Sequence, residues 1–141
     1  MRLRRSISLA LAALLALFAF TGCQGGTEPG ISHIDWDNRD ERAAQFVMAL
    51  VNGDYTIAAQ GFDAEMRRAL SVGALRRSWE GMCRQAGAFV AIEETQPVPN
   101  DEYDIYNVIT RHEKSGANTR VVFSHDGLVA GLFFTFVPNP A

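Results

Sequence analysis

At Gly87 the apolar residues of this 141-residue chain change their spacing, and that change limits what the chain can become. Before Gly87 they recur every three or four residues. Ala43, Phe46, Val47, Leu50 and Val51 make one stripe, and Val72, Leu75, Trp79, Met82 and Ala86 make another. Such spacing gives each of two helices one apolar face. After Gly87 the period falls to two, with strand-like runs at 88–95, 103–111, 119–124 and 128–137. Helices first, then consecutive strands joined by short connections, predict an α+β domain. Its N-terminal helices pack on one face of an antiparallel four-stranded sheet.

Local signals set the boundaries. Asp37 is placed to cap the first helix and Gly53 to end it; short helices at 55–60 and 63–70 flank Gly61; Ser71 caps a longer helix to about residue 85. Residues 96–101, with Pro97 and Pro99, read as a loop, 113–118 as a turn, and Asp126-Gly127 as a hairpin. The hairpin leaves two registers open. A two-residue turn sets Leu132, Phe134 and Phe136 beside Val121 and Phe123, whereas a three-residue turn with a bulge sets Val129, Gly131 and Phe133 there. Either register leaves large apolar groups on the face away from the helices. Leu132, Phe133, Phe134 and Phe136 are therefore the candidate interface residues.

The N-terminus addresses location. Arg2, Arg4 and Arg5 precede a 14-residue apolar run from Ile7 to Phe20, followed by Thr21-Gly22-Cys23. This is the layout of a secretory signal, and the run is shorter than the roughly 20 residues a spanning helix needs. Phe20-Thr21-Gly22-Cys23 resembles the lipobox of bacterial lipoproteins, although Phe20 stands where an aliphatic residue is usual. The resemblance implies cleavage after residue 22 and acylation of Cys23. The expected organisation is a lipoprotein signal peptide at 1–22, a flexible tether at 23–36 and a single α+β domain at 37–141. The expected place is the extracytoplasmic side of the cell membrane, held by lipid. Without the first 22 residues, 10 basic side chains face 16 acidic ones, a formal charge of −6. That balance offers nucleic acid no basic surface.

Motifs that carry chemistry are few. The sequence has no phosphate-binding glycine loop, no Gly-x-Ser-x-Gly, no zinc-binding His-Glu-x-x-His and no Cys-x-x-Cys. If the second and third strands pair around a 113–118 turn, His112 falls near Thr119 and His125 opposite Tyr106, about 20 Å apart at roughly 3.3 Å per residue. They share no metal, and each is expected to be an ordinary strand-end or turn histidine. Cys83, on the helical stripe, is expected to be buried and unreactive. A pocket enzyme would need a carboxylate base facing oxyanion donors, with Asp54, Tyr55, Asp63, Tyr103, Tyr106 and His125 as the candidates. Asp54 and Asp63 also stand where helix starts want caps.

Three stretches, "NGDYTIAAQGFDAEMRRAL", "LRRSWEGMCRQAGAF" and "VVFSHDGLVAGLFF", resemble an uncharacterised bacterial domain family of unknown function over roughly residues 40–135. The matching positions are Gly53, Asp54, Tyr55, Phe62, Asp63, Met66, Leu75, Trp79, Gly87, Phe89, Gly127, Gly131 and Leu132. The resemblance implies a cystatin-like cone, in which a curved sheet wraps a helix as in nuclear transport factor 2 and ketosteroid isomerase. It brings no activity. Members of the family occur beside hydrolase domains, which implies a helper or binding role. The expected function is a non-catalytic binding or interaction module for a protein partner or small apolar ligand. The alternatives are an isomerase- or hydratase-like enzyme with its pocket inside the cone, and a structural dimerisation domain. Expected partners are the lipid bilayer, through acylated Cys23, and a second copy or a membrane-associated protein, with no cofactor, metal or nucleic acid.

Overall fold

The computed structural model describes residues 33–139, so the expected signal peptide, Cys23 and most of the expected tether lie outside the described residues. Four helices, α1 (Arg42–Asn52), α2 (Tyr55–Gln60), α3 (Ala64–Ala69) and α4 (Val72–Ala86), precede four strands, β1 (Phe89–Val98), β2 (Asp104–His112), β3 (Gly116–Phe123) and β4 (Val129–Val137). The strands form one open antiparallel sheet in the order β1-β2-β3-β4. The fold is α+β, as the change of period predicts.

Ala43, Phe46, Val47 and Leu50 are buried on α1, and Leu75, Trp79, Met82 and Ala86 on α4. They meet Tyr106 and Val108 of β2, Ala117, Val121 and Phe123 of β3, and Val129 of β4 in a single core. The local stops hold. Gly53 ends α1 at φ +80, Asp63 accepts a hydrogen bond from Met66 N–H at 2.7 Å, and Ser71 from Ala74 N–H at 3.2 Å. Gly87 ends α4 at φ +89 against Glu113, whose Cβ would lie 2.9 Å from an added Cβ, so neither the conformation nor the space admits a side chain.

Four expectations shift. Asp37 does not cap α1: Asn38 organises the approach, its carbonyl accepting from Arg42 N–H at 2.9 Å, and the helix starts at Arg42. The packed chain begins before residue 37, because Ile34 is buried in the core and the Trp36 ring lies on Gly61. A Cβ at Gly61 would overlap that ring. The Pro97 segment is no loop but the last part of β1, tolerated because β1 is an edge strand where a missing N–H costs no ladder bond. The β2–β3 turn is short, with Arg111 opposite Gly116, so Thr119 faces Val108 and Tyr106 faces Val121. His112 and His125 therefore lie beyond opposite ends of β3.

The β3–β4 hairpin combines both anticipated registers. Phe123 pairs with Val129, yet Val122 pairs with Gly131, leaving Ala130 as the extra residue of a bulge. Val129 points into the core beside the turn. Past the bulge, Leu132, Phe134 and Phe136 share the helix side with Val121, Thr119 and Ala117, and Phe133 and Thr135 face outward.

Candidate functional site

The six pocket candidates do not converge. Tyr106, buried on β2, stacks edge-on against Phe123 at 6.2 Å and shares a cleft of about 220 Å³ with exposed Tyr103, Asp104 and Pro97 at the end of the β1–β2 hairpin. Burial, then the charges of Asp40 and Asp104, push the Tyr106 phenol up. His125 is exposed in the β3–β4 turn, on a different cleft of about 340 Å³ with Trp36, Arg39, Arg42 and Asp126. Asp63 is occupied as the α3 cap. Asp54 precedes α2 without capping it, and its Oδ2 is buried with no hydrogen-bond partner. Tyr55 is half-buried; burial, then Glu80, raises its pKa. Cys83 is likewise only half-buried, and burial followed by Glu80 pushes its thiol up, away from the reactive thiolate.

Two buried polar groups escape sequence reasoning. Arg42 is 2% exposed; its guanidinium lies 4.0 Å over the Phe123 ring and donates to Asp104 Oδ2 at 2.9 Å. Arg39 approaches the same carboxylate at 3.6 Å. An arginine on an apolar helix face reads as a solvated residue until its partner 62 positions away is known. His112 is a strand-end histidine as expected, the last residue of β2, but it is 1% exposed. Its Nδ1 meets Gly87 O at 3.1 Å and its Nε2 meets Thr110 Oγ1 at 3.0 Å, between the rings of Trp79 and Phe89. Burial lowers its pKa, opposed by the bond to Gly87. Among the described residues no group of three His, Cys, Asp or Glu is placed to hold a metal ion, and no helix is long and apolar enough to cross a membrane.

The four interface candidates divide between faces. Leu132 and Phe134 are partly buried against the core, with the Phe134 ring 5.9 Å from Trp79. Phe136 is on the same side but 49% exposed, and Phe133 is on the outer face, 59% exposed, in a shallow cleft with Asn118, Arg120 and Thr135. The outer face is otherwise mixed. Val122 and Ile105 alternate with Asn107, which accepts hydrogen bonds from Arg120 and Asn118.

Phe133, the most exposed large hydrophobic side chain among the described residues, lies on β4, at one edge of the sheet. The first residue of β4 is covered: Val129 N–H donates to Gly61 O at 2.7 Å and Val129 O accepts from Asp63 N–H at 2.9 Å. From Gly131 to Val137 no described strand lies on that side. The opposite edge is built differently. β1 carries Glu93, Glu94 and Pro97 and two register irregularities, the devices by which sheet edges resist pairing. The free run of β4 carries no charge and no proline.

The family model described as "Protein of unknown function (DUF3887)" matches residues 43–132, and the chain belongs to that family. It is also similar to Esterase EstD of Thermotoga maritima, 28% identical over 95 residues, which cover 67% of this chain and 23% of the esterase. The match thus takes in less than a quarter of the esterase's length. No solved structure matches the chain.

Proposed function

We propose that this member of the DUF3887 family is a non-catalytic interaction module, carried on the extracytoplasmic side of the membrane by acylated Cys23, that binds a protein through β4. The observation that carries the reading is the uncharged β4 edge, which no strand among the described residues covers past Gly131, with Phe133 and Phe136 exposed. Soluble domains usually protect such an edge, and a strand left open is a template for pairing. A protein partner is favoured over a small apolar ligand because Phe46, Leu50, Phe62 and Leu75 fill the space between helices and sheet. The isomerase- or hydratase-like alternative is disfavoured because Tyr103 and Tyr106 share one cleft, His125 lies on another, and Asp54, Tyr55 and Asp63 line neither. We read the helix-on-sheet architecture as kin to the cone of nuclear transport factor 2 and ketosteroid isomerase, on the sequence resemblance alone. The likeness to part of an esterase fits a module that accompanies a hydrolase. This chain has no Gly-x-Ser-x-Gly of its own.

Site-specific photo-crosslinking in cells tests the reading. A crosslinker at Phe133 is expected to give protein adducts, and one at Val90, also exposed but on β1, is expected to give none. Equal yields from both positions count against a β4 interface. Covalent labelling of the purified chain by a fluorophosphonate would make it a serine hydrolase and overturn the non-catalytic reading.

A further inference from the structure

Resting on that reading, we infer that the protein on β4 is a second copy of this chain, the two β4 strands pairing antiparallel about a twofold axis at Phe134 into one eight-stranded sheet. The register is bounded at both ends. Val129 is already bonded to Gly61 and Asp63, so the free run starts past the bulge, and Pro138, with no N–H, closes it after Val137. The symmetric pairing that uses all of Gly131–Val137 is centred on Phe134.

That register places Gly131 opposite Val137, Leu132 opposite Phe136 and Phe133 opposite Thr135 of the other copy. Every pair joins side chains on the same face: Leu132, Phe134 and Phe136 lie on the helix side, and Phe133 and Thr135 on the outer side. A shift of the sum by one residue would set helix-side groups against outer ones. The pairing covers the two exposed rings, because bare Phe136 reaches over Leu132 of the other copy while Phe133 lies beside its Thr135. Such an interface is isologous and closes after two subunits. Charge points the same way. Two copies of a domain with a mature charge of −6 repel, and β4 is the one strand of the sheet without an ionisable side chain, as Glu93, Asp104 and Arg120 show for the others. The opposite edge, with its glutamates and proline, does not compete.

The test is sedimentation equilibrium of the chain as the cell makes it, in density-matched detergent. The wild type is expected to be a dimer. Phe133→Lys, at an exposed position, is expected to keep its circular-dichroism melt and to raise the dimer dissociation constant by about tenfold or more, the change entering twice by symmetry. Adding Thr135→Glu sets Lys opposite Glu across both halves and is expected to bring the constant back to within about threefold of the wild type. Should Phe133→Lys disturb folding, Thr135→Lys rescued by Phe133→Glu makes the same comparison from the other side. A monomer at every concentration, or a dimer indifferent to these changes, or a loss that the double variant does not repair, overturns the second-copy assignment. A monomer that still gives Phe133 adducts with a different protein in cells overturns it while sparing the module reading; a monomer without adducts removes both.

Discussion

His112 is the residue whose surroundings set a protonation problem. Three contacts converge on it and Thr110: Nδ1 with Gly87 O, Nε2 with Thr110 Oγ1, and Thr110 Oγ1 with Ala117 O at 3.2 Å. A neutral imidazole and a hydroxyl hold two protons for these three contacts. The imidazolium would fill all three, but burial among Trp79 and Phe89 disfavours the charge and lowers the pKa below the usual 6.5. As pH falls below 6.5, the unfolded chain takes up the proton and the folded chain resists it, so the unfolded state gains and stability declines. Above 6.5 the contribution is fully present. The expected outcome is a urea midpoint that drops from pH 8 to pH 5 in the wild type, with a slope of at most about 1.4 kcal/mol per pH unit from this group. His112→Gln should lose part of that pH dependence; an identical pH profile in the variant would assign the dependence to other groups. Arg42 is the contrasting case. Its guanidinium is buried with the Asp104 carboxylate and the Phe123 ring in the place of water.

Among the elements, those whose boundaries depend on near neighbours are the ones legible in the sequence. Asp63 and Ser71 cap the next turn, Gly53 and Gly87 end helices with positive φ, and α2 has the expected bounds. What escapes depends on distant partners. No local signal marks Pro97 as an edge residue, Ala130 as a bulge or Arg42 as the mate of Asp104, because each is decided by the sheet it joins. Asp54 shows that even a cap-like residue can fail, since it leads into α2 with its side chain unbonded at the helix. The segment before α1 is the largest surprise: Ile34 and Trp36 look like tether, and Trp36 is held by the missing side chain of Gly61. Gly61→Ala is therefore expected to push the indole out, red-shifting its fluorescence and costing about 1–3 kcal/mol in chemical denaturation. The same change in a Trp36→Ala background should cost much less, since the methyl would then enter vacated space. Equal costs in both backgrounds would place the strain elsewhere.

For the whole molecule, attachment is the property on which the proposed function depends, and the packed boundary sharpens what the tether can do. If cleavage leaves Cys23 first, about ten residues join it to Ile34, giving a typical reach of roughly 18 Å for a flexible chain at 5–6 Å × √n. No helix among the described residues of the domain is long and apolar enough to cross a membrane, and its excess of acidic side chains is repelled by anionic headgroups. Two acyl chains on Cys23, each CH₂ contributing about 0.8 kcal/mol when buried, would suffice for a stable anchor where one chain is marginal. Held this way, copies would share a surface instead of a volume, and β4 edges would meet more often than in bulk. Cys23→Ser should therefore release the chain from the membrane pellet after an alkaline carbonate wash, which strips proteins retained only by protein contacts. The wild-type N-terminus should carry the mass of a diacylglyceryl group on Cys23. A Cys23→Ser chain that stays in the washed pellet, or a mature Cys23 of unmodified mass, would move the anchor out of the lipobox and leave the β4 pairing to be judged at bulk concentration.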